Sequence, residues 1–75
     1  MKKMTLHAAI IRILEENGNR WMDISEIADK VNRQNLYRRK DDEPLPSYQV
    51  HLRTMTAQYQ HLFEKDGSLV RMKEQ

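Results

Sequence analysis

Three segments of helical periodicity, followed by strand-forming residues on either side of Asp66-Gly67, predict an α+β fold in which three helices are closed by a β-hairpin. That order is the order of a winged helix-turn-helix. The length agrees, because 75 residues suffice for one module and the domain is expected to span residues 1–75. With 39% apolar and 32% charged residues the chain is apolar enough to fold rather than remain a disordered tail.

Leu6, Ala9, Ile10, Ile13 and Leu14 recur at helical spacing and predict a first helix over 5–17, with Thr5 as its cap and Asn17-Gly18 at its end. Trp21-Met22 can supply a short third strand. Asp23-Ile24-Ser25-Glu26 reads as a capping box in which Asp23 caps the second helix and Glu26 reaches back to it. Ile24, Ile27, Ala28 and Val31 carry that helix, expected over 24–34. Between Leu36 and Pro46 the periodicity is lost among bases, acids and two prolines, which reads as a loop, and Pro46 suits the start of a third helix expected over 46–59. In that helix Tyr48, Leu52, Met55 and Tyr59 form one apolar stripe, and Val50, Thr54 and Ala57 form another. If both flank the buried face, the polar stripe Gln49, Arg53, Thr56 and Gln60 lies in solvent. The wing is expected over 62–72, with Asp66-Gly67 as a type I′ turn pairing Lys65 with Ser68 and Phe63 with Val70. Phe63, Val70 and Met72 then share the core face.

The chain has no Cys, which removes thiol catalysis and thiolate-bound zinc. His7, His51 and His61 lack the spacing of a metal pair within one helix, so no metal is expected, and no cofactor motif is present. There is no Gly-rich phosphate loop and no nucleophile elbow, so an enzyme is not expected. Arg12, Glu15 and Glu16 interrupt any apolar run near the N-terminus, and no stretch is long enough to span a bilayer. The expected location is cytoplasmic, or nucleoid-associated if the source is bacterial, with no membrane contact.

Thirteen bases against eleven acids give a net charge of +2, so its distribution matters more than its sum. Residues 1–29 hold four bases against five acids, whereas residues 30–53 hold six against three. The positive excess sits around the central loop and the third helix.

Several short stretches together resemble the HARE-HTH family: Leu6-His7-Ala8-Ala9-Ile10, Ser25-Glu26-Ile27-Ala28-Asp29-Lys30-Val31-Asn32, Leu36-Tyr37, Pro44-Leu45-Pro46, Gln49-Val50 with Arg53, and Leu62-Phe63-Glu64. The resemblance covers about residues 4–72 and lies in the order and spacing of these stretches. It implies a winged helix-turn-helix of the kind found in Asx-like Polycomb proteins, homeobox proteins, bacterial restriction endonucleases and the delta subunit of bacterial RNA polymerase. Two departures stand out: a third helix that is longer between Gln49-Val50 and Leu62-Phe63, and Thr54 where an aliphatic residue is usual.

The function expected is a DNA-binding module, transcription-associated or targeting a restriction-type system, with the third helix in the major groove of duplex DNA. Gln49, Arg53, Thr56 and Gln60 are the candidate base or phosphate contacts, because Arg suits guanine and Gln suits adenine. Ser47 can donate to a phosphate or serve only as a cap. Arg38, Arg39 and Lys40 in the loop and Lys65 near the wing tip are candidate backbone contacts. Each has a plainer reading: a solvated helix face, a loop compensated by Asp41-Asp42-Glu43, and a charged edge strand. The alternative is a winged helix that docks a protein, such as transcription or restriction machinery, without touching DNA. An exposed apolar patch containing Tyr37, Tyr48 or Leu69 would favour that alternative. Homodimerisation is compatible with both.

Overall fold

The computed structural model describes residues 4–37, 39 and 43–73. The elements run α1 (Leu6–Glu16), β1 (Met22–Asp23), α2 (Ile24–Gln34), α3 (Ser47–Met55), a single 3₁₀ turn (Gln60–Leu62), β2 (Phe63–Asp66) and β3 (Leu69–Met72). The three strands form one antiparallel sheet in the order β1-β3-β2, so the architecture is that of a winged helix.

Thr5 Oγ1 accepts from the Ala8 amide and opens α1, and Gly18 and Asn19 take positive φ just beyond its end. Asp23 caps α2 by accepting from the Ser25 amide at 2.9 Å and the Ser25 hydroxyl at 2.6 Å. The reciprocal bond from Glu26 does not form. Instead the Ser68 hydroxyl donates to the second oxygen of Asp23 and the Ile24 amide donates to the Ser68 carbonyl, which tie the hairpin turn to the start of α2. Asn35 ends α2 in the left-handed conformation with φ 55°.

The third helix ends at Met55, four residues short of the expected 59. Two threonines account for this. The Thr54 hydroxyl donates to the Val50 and His51 carbonyls and that of Thr56 donates to the Leu52 carbonyl, while Thr56 turns extended with ψ 135°. The chain then folds back through a turn in which the Tyr59 ring stacks on His7 of α1 at 4.3 Å. The long interval after Gln49-Val50 holds this turn, not extra helix.

The hairpin register also differs from the expectation. Phe63 faces Met72, Glu64 faces Arg71, Lys65 faces Val70 and Asp66 faces Leu69, so the loop is Gly67-Ser68. Only Gly67 has positive φ, which is the requirement of a type II′ turn. Moving the turn by one residue displaces each pairing by two, so faces are conserved and Phe63, Val70 and Met72 still point inward. The third strand is Met22–Asp23, paired with Val70 and Leu69, and Trp21 lies outside it.

Leu6, Ala9, Ile10, Ile13 and Leu14 of α1, Ile27, Ala28 and Val31 of α2, Val50 of α3 and Leu45, Met22, Phe63 and Val70 form one buried cluster. Among the described residues Thr54 is the buried polar residue of this core at 1% exposure, its hydroxyl satisfied by the back-bonds above. This explains how a threonine can stand where an aliphatic is usual.

Candidate nucleic-acid interface

Helix α3 is set in place from its N-terminal side by Asn32 of α2. The Asn32 amide accepts from the Leu45 N–H at 2.8 Å and donates to the Leu45 carbonyl at 3.0 Å, while the Leu45 side chain enters the core. Both ends of one side-chain amide are used, so the approach to α3 is held in position and orientation. Pro46 then precedes Ser47 and supplies no side-chain cap. Ser47 is therefore the first helical residue and its hydroxyl is not a cap.

The rotation of α3 follows from what it buries. Val50 and Thr54 face the core, and at about 100° per residue the opposite side centres on Leu52, with Tyr48 and Met55 beside it. These three are 56%, 56% and 52% exposed, so an exposed apolar patch containing Tyr48, the feature expected to favour a protein-docking winged helix, is present. The two apolar stripes of the sequence thus do not flank a shared buried face: Val50 and Thr54 are inside and Tyr48, Leu52 and Met55 outermost, while Ala57 and Tyr59 lie beyond the helix, Ala57 exposed and Tyr59 packed against the core. The polar stripe keeps only part of its expected form. Gln49 and Arg53, half-buried on the shoulder toward α1, line a shallow hollow with Leu6, Leu52 and Thr56. Thr56 lies beyond the helix with its hydroxyl already donated to Leu52. Gln60 falls in the 3₁₀ turn and lines a separate hollow with Thr54, Met55, Phe63 and Lys65.

Arg53 has a positioning partner that the linear pattern hides. Its guanidinium lies over the Tyr59 ring at 5.5 Å, and the same ring stacks on His7, so a turn after the helix carries Arg53 on an aromatic shelf. Among the described residues Arg53 has no carboxylate partner.

Lys65 departs from its expected position. It shares the inner face of β2 with Phe63, and its ammonium donates to His51 Nδ1 at 2.8 Å and to the Thr54 hydroxyl at 3.0 Å. An ammonium has only donors, so His51 Nδ1 is the acceptor in this contact. Burial pushes the Lys65 ammonium below its usual range. The lysine fastens β2 to the end of α3 instead of reaching from the wing tip. On the outer face of the hairpin Arg71 pairs with Glu64 directly across the strands and lies over Trp21 at 4.6 Å. The two cations of the hairpin strands are therefore both engaged. Of the basic loop residues, Arg38 and Lys40 lie outside the described residues, and Arg39 is half-buried with an interaction of its own.

Charge also separates α3 from the rest. From residue 44 to residue 63 the chain contains no acid, in a protein with eleven. Elsewhere acids neutralise neighbouring bases, as in Arg12–Glu16 on α1 and Arg33–Asp29 on α2. Among the described residues no cluster of His, Asp and Glu is arranged to hold a metal, and no helix is long and apolar enough to cross a membrane.

In comparison with known proteins, residues 4–75 match the model of the HARE-HTH family, described as a helix-turn-helix domain of ASXL and restriction endonuclease proteins among others. No curated protein and no solved structure gives a significant match.

Proposed function

The chain belongs to the HARE-HTH family, a family of DNA-binding helix-turn-helix modules, and on that premise we propose that it binds duplex DNA with α3 in the major groove. The observation that carries this reading is the outward side of α3 and its shoulder: an exposed helix face with Ser47, Gln49 and Arg53 around it and no acid anywhere between Glu43 and Glu64. A polyanion can approach this side without meeting a carboxylate of the helix itself. Ser47 donates to phosphate, Gln49 suits an adenine edge and Arg53 suits guanine or phosphate. Arg38, Arg39 and Lys40, which precede α3 in the chain, are the candidate phosphate contacts of the loop. Lys65 is left out, because its ammonium is committed to His51 and Thr54. The role that fits is a targeting module for transcription-associated or restriction-type machinery.

The test is fluorescence anisotropy of a labelled duplex titrated with the protein at about 50 and about 200 mM salt, with Arg53→Ala and a neutralised 38–40 loop alongside. Binding should fall steeply with salt, by about 0.9 log units per log unit of salt for each phosphate contacted. Arg53→Ala should weaken it roughly tenfold. No binding by the wild type at the lower salt would overturn the reading and leave the exposed face of α3 to a protein partner.

A further inference from the structure

We propose that the outward face of α3 recognises thymine through its C5-methyl group, reading a short run of A·T pairs by apolar contact. The inference rests on the DNA-binding reading and deepens it by naming what the face selects. Tyr48, Leu52 and Met55 occupy the most outward line of the helix and are each more than half exposed. These are the residues that a helix lying in the major groove places deepest, and in that groove the thymine methyl is the apolar group that base edges present. The polar shoulder is consistent with the same pairs. Gln49 has the donor and acceptor needed for the N6 and N7 atoms of the adenine opposite a thymine, whereas Arg53 is drawn to one side over Tyr59. From Tyr48 to Met55 the stripe is about 10 Å long at 1.5 Å per residue, a length that covers about three base steps. The acid-free segment around it matches the phosphates that flank the groove.

Replacing thymine by deoxyuridine removes the methyl and leaves every hydrogen-bonding group of the pair in place. The experiment is therefore anisotropy on three labelled duplexes: an A·T-rich one, the same sequence with all thymines replaced by deoxyuridine, and a G·C-rich one. The wild type should bind the thymine duplex most tightly and lose about fourfold for each methyl it no longer contacts. In a Leu52→Ala/Met55→Ala variant, checked for folding by circular dichroism, the ratio between thymine and deoxyuridine duplexes should fall to about one. Equal wild-type binding to the thymine and deoxyuridine duplexes overturns the inference while leaving the DNA-binding reading intact. Absence of wild-type binding to all three overturns both. A stripe that instead makes the protein dimerise, seen as a wild-type dimer and a monomeric double variant in sedimentation with no preference for thymine, also overturns it.

Discussion

Helices α2 and α3 are of similar length and packed against each other, yet they are held in opposite ways. α2 buries Ile27, Ala28 and Val31 along one face, is capped by Asp23, and ends at a left-handed Asn35. Its exposed charges are compensated within the helix by Asp29 and Arg33. α3 buries only Val50 and Thr54, has no side-chain cap, and turns Tyr48, Leu52 and Met55 into solvent. What holds α3 lies outside it: the Asn32 clamp before it, the Lys65 tie at its end and the Tyr59 turn behind it. The difference separates a helix that stabilises the fold from one that the fold displays. An apolar line left exposed on the displayed helix has no role in packing, and this is why a ligand-contact role is assigned to it.

Substitutions that break this contrast should rank by size. Ile27→Ala in α2 should cost about 2–5 kcal/mol in urea unfolding, because it opens a cavity in a fully buried site. Asn32→Ala should cost about 1–3 kcal/mol, since it leaves both the N–H and the carbonyl of Leu45 without their partner. If its cost were nil, α3 would be held by its own packing and the contrast would fail. The cap of α2 sets an acid limit. Ser25, with Ser68 and the Ser25 amide, holds the Asp23 carboxyl down to about 2. Its ionised form therefore stabilises the fold fully only well above the unfolded value of about 4, and that contribution disappears as pH falls through that value to the folded one of about 2. A melting-temperature profile should fall over that interval, and Asp23→Asn should flatten the fall. Leu52→Ala, by contrast, should change urea stability by less than about 0.5 kcal/mol. The smallest effect expected is that of Lys65→Met on duplex affinity, with an unchanged salt slope, and a loss matching that of Arg53→Ala would return Lys65 to the contact surface.

Much of this was readable in the residues. The periodicity of Leu6 to Leu14 and of Ile24 to Val31, with Thr5 and Asp23 before them, marks α1 and α2 because burial and capping there act over one or two turns. Local signals fail where distant partners decide. Tyr48-Leu52-Met55 and Val50-Thr54 are equally apolar patterns, and the choice between them depends on a threonine hydroxyl that bonds to its own helix and so can be buried. The path of the chain after α3 depends on Tyr59 meeting His7, some fifty residues earlier in the chain. The turn register depends on Ser68 meeting Asp23. The inward position of Lys65 was legible all the same, since a strand that buries Phe63 turns the residue two further on to the same side. Of the candidate contacts, Gln49 and Arg53 are brought together and share a hollow with Thr56, whereas Gln60 is separated from them.

The side-chain amide of Asn32 has a counterpart in Asn19, which accepts from the Met72 N–H and donates to the Met72 carbonyl in the same two-ended fashion. One such grip fixes the entry to α3 and the other the end of the sheet, and neither involves a residue on the outward line of that helix. The exposed positions can therefore be rewritten without disturbing what suspends them. As a scaffold for engineering, the molecule offers Tyr48, Leu52 and Met55 as a replaceable cassette, on which libraries can be built and sorted for new targets while the two asparagines are kept constant.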